Sequence, residues 1–302
     1  MFKGLLRIIV SVLTAIVSFF TPASVKPEAP LVNINPNPIK QEVLEQDLTI
    51  MTYNLKCSGE GKYSQESRKD GICDIIGKYS PDSFGVQEAD INWVNRLDEA
   101  MPEYDHFGTY RDDGVEAGES CTIFYKNEKY ELVDAGDFWL SKTPDVPSSD
   151  WNSACYRVCT YVILKDKQTG FTYAHFNTHF DHVSEQAQAE SVALVSSKIA
   201  EIAPDIPVVL TGDFNFNETK SFYDDVISCG FKDTKYLAED YDVGATYNGY
   251  KLLVLGLNPI DHIFVNGYVK SVESSSIDKS KYNRIYPSDH FPIIVEMTMF
   301  NG

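Results

Sequence analysis

The sequence is poor in positive charge and in cysteine, and each shortage excludes a class of protein. Its 302 residues contain 26 Lys and Arg against 44 Asp and Glu, a formal charge of −18. Because tight polyanion binding requires Lys and Arg to neutralise phosphates, this balance argues against strong non-specific binding of duplex nucleic acid. It leaves open a nuclease whose cleft is neutralised by divalent cations. Six cysteines are too few for a disulfide-dependent small fold, so we expect buried free thiols with at most one bridge.

Long apolar runs are also scarce, and the longest lies near the N-terminus at residues 8–20, preceded by Lys3 and Arg7. Small residues come after it up to Ser24, which together predicts an export signal over residues 1–24. As a helix the run spans only ~20 Å against a hydrocarbon core of ~30 Å, so a retained membrane anchor is the alternative. Cleavage would remove two cations and no acid, changing the charge from −18 to −20. We therefore expect an extracytoplasmic protein, secreted or anchored to the membrane by this segment.

The chain beyond residue 24 divides into a linker and a folded domain. Residues 25–46 hold four prolines without apolar periodicity, which predicts a tether. From residue 47 to 302 short β-like runs alternate with helical stretches and no repeat is visible, so we predict one domain there. A helix is predicted from residue 66, and a second over 184–203 with Ser184 as its cap. The predicted strands are 47–55, 81–88, 120–126, 157–166, 171–182, 207–215, 259–266 and 287–299.

The order of apolar and polar residues within these strands predicts their directions. Polar residues come after the apolar run at Asn54, Glu88, His179 and Asp213, and before it in the last two strands. If all meet at one site, the last two strands run opposite to some of the others. The pattern therefore favours an α/β fold in which two packed mixed, mainly antiparallel sheets are flanked by helices.

The stretch "YAHFNTHFDH" (173–182) contains three of the six histidines and raises the question of a zinc site. On a strand, His175 and His179 share a face but lie ~13 Å apart, which zinc–nitrogen bonds of ~2.1 Å cannot span. A local zinc site is therefore excluded. Alternation also places Asn177 on the face of His179, whereas His175, farther back on that face, is expected to be structural.

The polar residues elsewhere are mostly carboxylates and amides. Oxygen-rich donors of this kind suit Mg²⁺ or Mn²⁺ better than Zn²⁺, and imidazoles among them suit proton transfer. The residues concerned are Asn54, Glu88, Asp213, Asn215, Asp261, Asp289 and His290.

From about residue 47 to 300 the chain resembles the endonuclease/exonuclease/phosphatase superfamily, which includes deoxyribonuclease I. In style it is closest to bacterial relatives of the nocturnin and carbon-catabolite-repressor deadenylase branch. The resemblance implies a four-layer α/β sandwich with the site at one edge of the two sheets. It rests on motifs that occur in the family's order, namely "TYN" (52–54), "VQEAD" (86–90), "NTHFDH" (177–182), "TGDFN" (211–215), "IDHIF" (260–264) and "PSDHFP" (287–292).

The resemblance also implies roles for individual residues. Glu88 matches the main metal ligand, Asn54 assists it and Asp289 lies near the metal. His290 matches the histidine that activates or positions the attacking water, and Asp261 the carboxylate that orients that imidazole.

The remaining matches concern the phosphate and the nucleophile. Asp213 and Asn215 match the pair that positions the nucleophile and the phosphate or, in two-metal schemes, holds a second ion. His179 matches a histidine that hydrogen-bonds a phosphate oxygen and assists the leaving group, and we expect Asn177, on the same face, to support phosphate binding. Arg157 matches a phosphate-contacting arginine, although a strand-edge arginine paired with an acid would look the same in sequence.

These observations predict an exported, Mg²⁺- or Mn²⁺-dependent phosphoester hydrolase. Nuclease activity is the first expectation, on a nucleic-acid or nucleotide substrate. A lipid or small-molecule phosphoesterase acting on phospholipid, sphingomyelin or inositol phosphates is the alternative. A non-catalytic binding protein on the same scaffold is a third hypothesis, disfavoured because every matched catalytic position holds a competent residue. We expect no protein partner, and membrane association only through the N-terminus.

Overall fold

Two mixed β-sheets pack face to face, with helices on both outer surfaces. The computed structural model describes residues 43–251, 254, 256 and 258–301. The predicted leader and most of the predicted linker lie outside these residues, as does much of the apolar run 252–257. The first strand begins at Glu45, two residues before the predicted domain boundary.

The elements are arranged along the chain in a β-rich order. The helices are α1 (Gln65–Tyr79), α2 (Ile91–Ala100), α3 (Glu185–Ile202) and α4 (Ser221–Ser228). The strands are β1 (Glu45–Asn54), β2 (Ser83–Gln87), β3 (Tyr104–Phe107), β4 (Ile123–Lys126), β5 (Tyr130–Trp139), β6 (Val158–Asp166), β7 (Thr172–His179), β8 (Val208–Asp213), β9 (Lys232–Asp233), β10 (Ala238–Tyr241), β11 (Asp261–Val265), β12 (Val269–Ile277) and β13 (Ile293–Phe300).

The strand directions agree with those predicted from the position of the polar residues. The first sheet has the order β10-β12-β13-β1-β2-β4-β3 and the second the order β5-β6-β7-β8-β11-β9. Strand β1 is parallel to β2, and β7 is parallel to β8. Strands β11 and β13, which carry their polar residues first, run antiparallel to β8 and β1. The polar ends of all six strands therefore meet at one edge of the sandwich.

Three apolar cores hold the four layers together. One lies between the sheets and includes Ile50, Val209 and Val295, all with fully buried side chains. The second packs α3 and α4 on the outer face of the second sheet, and the third packs α1 and α2 on the first. Each fully buried aliphatic side chain of these cores contributes roughly 1.5–3 kcal/mol. The predicted four-layer α/β sandwich is confirmed.

Helix α3 illustrates how local sequence positions the framework. The Ser184 hydroxyl accepts a hydrogen bond from the Ala187 backbone N–H, as predicted for the cap. Val192, Val195 and Ile199 form the buried stripe that faces the second sheet. The helix ends at Ile202, shortly before Pro204, because proline cannot donate to a further helical turn.

Candidate active site

The candidate site lies at the edge where the polar strand ends meet. In the ladder, Asp213 at the end of β8 pairs with His179 at the end of β7 on one side and with Asp261 at the start of β11 on the other. Asn54 ends β1, and Glu88 directly follows β2. The register of the two sheets thus brings residues from distant parts of the chain to one place.

The loop before β13 completes this edge and is tied to the end of β1. Arg68, fully buried on α1, donates from Nη1 to the carbonyls of Leu55 at 2.5 Å and Pro287 at 2.9 Å. The Ser288 hydroxyl donates to the Asn54 carbonyl at 2.6 Å. Asp289 and the adjacent histidine are therefore held in register with Asn54, and Arg68 and Ser288 act as positioning residues that sequence reasoning did not identify.

Glu88 and Asp289 form the acidic wall of a cleft of about 440 Å³. Glu88 adopts φ 56°, a left-handed conformation that is rare for a non-glycine residue and is found at functional sites. Lys56 Nζ lies 3.8 Å from Glu88 Oε2 and 3.8 Å from Asp289 Oδ2. Burial raises the pKa of Glu88, but the Lys56 ammonium, the Cys57 N–H and Asn54 outweigh it, so the pKa lies below the ordinary value.

Asn54 lies between the carboxylates of Glu88 and Asp213. Its Nδ2 donates to Glu88 Oε1 at 3.1 Å and to Asp213 Oδ2 at 2.9 Å, while its Oδ1 accepts the Lys56 N–H at 3.0 Å. The amide oxygen thus faces the backbone and the amide nitrogen faces the carboxylates. Asn54 therefore orients Glu88 and Asp213, and its role toward a metal stays a prediction.

The donors that remain free fit an oxygen-preferring divalent cation. Asp289 is 6% exposed, and its Oδ1 is buried without a hydrogen-bond partner among the described residues. An uncompensated buried carboxylate oxygen is costly, and a cation beside Glu88 would satisfy it. A second group, comprising Asp213, Asp261 and His290, brings one ligand atom of each to within 4.8 Å of the others.

His290 lies between two buried carboxylates. Its Nδ1 is 2.9 Å from Asp261 Oδ2, and its Nε2 is 3.7 Å from Asp213 Oδ2. Burial lowers the pKa of His290, but Asp261 and Asp213 outweigh it and hold the pKa well above the ordinary value. Burial and the Asp261 charge raise the pKa of Asp213. The pair is therefore arranged to share protons, with His290 as the cationic member.

His179 lies on the other side of Asp213, with 3.5 Å between Nε2 and Asp213 Oδ2. Burial lowers its pKa well below the ordinary value, and the Arg157 and Arg111 charges lower it further. The imidazole is therefore neutral. Asn215 donates its backbone N–H to Asp213 Oδ1 at 3.0 Å and, at φ 53°, turns its side chain to the Phe180 carbonyl at 3.0 Å.

The basic wall of the cleft is formed by Arg157 and Arg111. Arg157 is 4% exposed; its Nη2 lies 3.2 Å from His182 Nδ1, while its Nε and Nη1 are buried and find no partner in the part of the chain that the structure describes. Arg111 pairs with Glu119, with 2.6 Å between Nη1 and Oε2. Arg157 is therefore not the acid-paired strand-edge arginine that its sequence context left open.

Asn177 does not line the cleft. Its amide is fully buried between the sheets, where Nδ2 donates to the Val86 carbonyl at 2.8 Å and Oδ1 accepts from Gln87 Nε2 at 2.7 Å. The predicted role in phosphate binding is wrong, because alternation gave the correct face of β7 but not the depth at which the first sheet covers it. His175, one step deeper, bonds Ser83 and Thr211 and is structural, as expected.

Several cleft residues escaped the sequence predictions. Lys56 closely follows the "TYN" motif, and His182 ends "NTHFDH", so proximity to a motif was the available signal for both. Arg111 and Tyr247 come from loops without such a signal. Tyr247 is 48% exposed, and its ring meets the His290 ring edge-on with 5.1 Å between centroids.

The six cysteines, all within the described residues, are free. Cys155 lies at the cleft beside His182 and Asp181, a grouping that superficially fits a metal. Asp181 is already saturated: one oxygen accepts from Val183 and Ser184 N–H groups and the other from the Ser153 hydroxyl and Ala154 N–H. This carboxylate is occupied as a loop and helix cap.

Comparison with known proteins identifies a matching family and several structures with a similar fold. The model of the Endonuclease/Exonuclease/phosphatase family matches residues 51–290. A mannosyl-6-phosphatase from Bacteroides thetaiotaomicron is 35% identical with a TM-score of 0.80, covering 83% of this chain and 99% of that one. The catalytic domain of human nocturnin, 18% identical, superposes with a TM-score of 0.66 over 87% of this chain and 97% of that one, which shows a shared fold.

A curated relative is similar over only part of its length. The CCR4-Not complex 3'-5'-exoribonuclease subunit Ccr4 of Mycosarcoma maydis is 23% identical over 307 residues, covering 78% of this chain and 46% of that protein. This chain thus spans about half of that relative.

Proposed function

The chain belongs to the endonuclease/exonuclease/phosphatase family, as its motifs predicted, and is a hydrolase of the phosphoester class; we propose that its substrate is a sugar phosphate monoester. The phosphate binds between the basic wall formed by Arg157 and Arg111 and the acidic wall formed by Glu88 and Asp289. This departs from the first expectation of a nuclease and takes up the small-molecule alternative.

One observation carries the proposal: the Arg157 guanidinium is buried, and two of its nitrogens have no acceptor among the described residues. Burying a cation without a counter-ion is costly, so the arrangement is best accounted for by an anion that binds there during function. The terminal phosphoryl group of a monoester carries up to two negative charges and three free oxygens, which suits two arginines and neutral His179. The 35% identity to a mannosyl-6-phosphatase supports the same substrate class.

The acidic wall is assigned to a divalent cation, Mg²⁺ or Mn²⁺. Glu88 and the unpartnered Oδ1 of Asp289 would hold it, with Asn54 orienting Glu88. When bound, such an ion supplies Lewis-acid stabilisation of charge on the phosphoryl oxygens. With net charge −18 on the chain, it also offsets the field that opposes an anionic substrate.

The proton-handling groups are assigned from their contacts. Asp213, held by Asn54 and the Asn215 N–H, accepts the proton of the attacking water at a carboxylate oxygen. His290, fixed by Asp261 at 2.9 Å, stays protonated and donates a hydrogen bond from Nε2 toward the reacting phosphoryl group, and the departing sugar oxygen takes its proton from solvent in the cleft as the P–O bond breaks. Of the two expected roles, activating or positioning the attacking water, this proposal does not use activation by His290, because two carboxylates already favour its cationic form.

A polynucleotide nuclease is the second candidate. It is favoured by the half-exposed Tyr247 ring at the cleft, which could stack on a base, and by the 23% identity to a 3'-5'-exoribonuclease subunit. The absence of a positive charge surplus in the sequence weighs against it.

A substrate panel tests the proposal. Mannose 6-phosphate, glucose 6-phosphate, single-stranded RNA and DNA, inositol phosphates and sphingomyelin are incubated with the protein, with Mg²⁺ or with EDTA. We expect metal-dependent phosphate release from the sugar phosphates, lowered at least ~10² in Glu88→Gln. Cleavage of polynucleotide or lipid without release of sugar-bound phosphate would refute the monoester assignment.

We also propose that the protein acts outside the cytoplasm. The support is the basic and apolar composition of residues 1–24. Among the described residues, none of the helices is long and apolar enough to cross a membrane. Mass spectrometry of the N-terminus of the cell-associated and released protein tests this, since an intact Met1 on membrane-extracted protein would favour an anchor over cleavage.

A further inference from the structure

A second cleft of about 430 Å³, the Trp151 cleft, lies beside the active site. It is lined by Lys142, Asp150, Trp151, Asn152, Ser153 and Gln186, none of which lines the catalytic cleft. All but the tryptophan are polar, whereas pockets for apolar ligands are lined mainly by hydrophobic side chains. The lining therefore suits a ligand with many hydroxyl groups.

The Trp151 cleft and the active site share one wall. Ser153 lines the former, and Cys155, two residues on, lines the latter. The Asp181 carboxylate joins this segment to the start of α3 by accepting from the Ser153 hydroxyl at 3.0 Å and from the Ala154 N–H at 2.8 Å. Gln186 in the first turn of α3 comes four residues after His182, which faces Arg157. The two clefts are thus connected by one continuous segment, along which a substrate longer than one sugar would run.

The backbone at the Trp151 cleft is held in an uncommon conformation. Trp151 has φ 55° and Asn152 has φ 59°, two successive left-handed residues, which is rare for a bulky side chain. The Ser184 hydroxyl donates to the Trp151 carbonyl at 2.6 Å, and the Ser153 N–H donates to the Asp150 carbonyl at 3.0 Å. Because surrounding contacts impose this backbone, the loop that forms the cleft is held in place before any ligand arrives.

The charges of the cleft lining favour a neutral ligand. Lys142 Nζ lies 3.5 Å from Asp150 Oδ1, so the two formal charges at the Trp151 cleft compensate each other. The amides of Asn152 and Gln186 supply both donors and acceptors. A neutral, hydroxyl-rich ligand fits this set better than a phosphodiester backbone.

We propose that the Trp151 cleft binds an uncharged sugar of the substrate, so that the preferred substrate is an oligosaccharide bearing a terminal sugar phosphate. This rests on the proposed function, since it extends the sugar phosphate into a longer glycan. The phosphate sits at Arg157, and a neighbouring unphosphorylated sugar lies in the Trp151 cleft and bonds Asn152 and Gln186.

A binding experiment tests the cleft independently of catalysis. The tryptophans all lie in the described residues; Trp93 and Trp139 are buried and Trp151 is half-buried, so a saccharide in the cleft should change the fluorescence of Trp151. Unphosphorylated mannotriose is titrated into the full-length protein. We expect a saturable change that Trp151→Phe abolishes. The inference would be overturned if the fluorescence stayed unchanged and calorimetry detected no binding of the sugar. It would also be overturned if a single-stranded oligonucleotide gave an equal fluorescence change.

A kinetic experiment compares mannose 6-phosphate with a mannotriose phosphorylated at its terminal 6-position. The Asn152→Gly, Gln186→Ala double variant should lower kcat/KM for the trisaccharide by about 10-fold, the size of one or two lost hydrogen bonds, and leave mannose 6-phosphate unchanged. Glycine is chosen because it adopts φ 59° without strain. The matched control is Asn283→Gly, an exposed asparagine at φ 48° outside both clefts.

The outcomes separate the two proposals. Hydrolysis of both esters with equal kcat/KM, unaffected by the double variant, would overturn the role of the Trp151 cleft and leave the sugar phosphatase intact. Saccharide binding by a protein that releases phosphate from neither ester would refute the proposed function, and with it the role of this cleft as a substrate subsite.

Discussion

Replacement of Arg157 by methionine should separate activity from stability. The guanidinium is 4% exposed, has no carboxylate of the described chain within ion-pair distance, and leaves Nε and Nη1 without acceptors there. In the free protein this buried charge is a liability, because among the described residues its desolvation is offset by the contact with His182 and a longer-range attraction to the Glu119 carboxylate, without an ion pair. Methionine fills a similar volume without charge. We therefore expect the free energy of unfolding to stay the same or rise by about 1–2 kcal/mol.

The expected loss of activity is set by the two free nitrogens. Each hydrogen bond between a guanidinium and a phosphoryl oxygen contributes roughly 1.5–3 kcal/mol, so two contribute about 3–6 kcal/mol. At about 1.4 kcal/mol per factor of ten, kcat/KM for a sugar phosphate should fall by ~10²–10⁴ in Arg157→Met. Inorganic phosphate should raise the Tm of the wild-type protein in the presence of Mg²⁺ and have little effect on the variant.

Arg111→Met is the matched control, because this arginine has a protein partner. Its removal leaves Glu119, 2.6 Å away in the native protein, without its counter-ion, so we expect a destabilisation of about 1–3 kcal/mol in denaturant titration. If Arg157→Met is destabilised as much as Arg111→Met, and loses activity only in proportion to its folded fraction, then Arg157 is structural and the phosphate site is wrongly placed.

Three further predictions concern other parts of the molecule. Burial raises the pKa of Asp137 from 3.8 to about 6, so its contribution to stability is full below pH ~4 and is lost as the pH rises through about 6. Asp137→Asn should therefore stabilise the protein by up to ~2–3 kcal/mol at pH 8 and hardly at pH 4. Equal denaturation midpoints of the variant and the wild type at pH 8 would contradict this. Tyr247→Ala should lower kcat/KM about two- to tenfold because it removes the edge contact to the His290 ring. Tyr247→Phe keeps this contact and should keep the wild-type kcat/KM. Equal losses of kcat/KM in both variants would assign the effect to the hydroxyl. A Cβ at Gly85 would lie 2.4 Å from the Asn177 side chain between the sheets, so Gly85→Ala should destabilise the protein by about 1–3 kcal/mol. Gly77 lies on the exposed face of α1, where no described neighbour would come within 4 Å of a Cβ, so Gly77→Ala should stabilise the protein by roughly 0.5–1 kcal/mol. Thermal unfolding of both variants checks the contrast, and a well-tolerated Gly85→Ala would show that the sheets can separate there.

The fold was predictable because its signals are local. Alternation and strand-end polarity gave the strand directions that the two sheets adopt, and Ser184 marked the start of α3 correctly. Helices α2 and α4 and strands β5 and β12 were not singled out. Strand β5 is exposed over much of its length and β12 is mixed in burial, so neither shows the apolar period that makes a strand visible in sequence.

The site was predictable only in part. Motif residues reach it because each sits at a strand end, where direction alone determines the edge at which it emerges. Asn177 shows the limit: its face was predicted correctly, but the sheet that covers it comes from residues far away in sequence. Arg111 and Tyr247 show the reverse, since ordinary loop residues become cleft residues only when the loops fold over the edge.

The sequence by itself determined the family, the sandwich of two sheets and the set of carboxylates and imidazoles at its edge, because period, capping and motif order are properties of neighbouring residues. Only the tertiary structure decided that Asn54 turns its amide nitrogen to Glu88 and Asp213, that Arg157 is buried without an acid from the described chain, and that Trp151 lines a second cleft. Each of these depends on contacts between segments that are well separated in sequence, and such contacts exist only once the sheets and loops have packed.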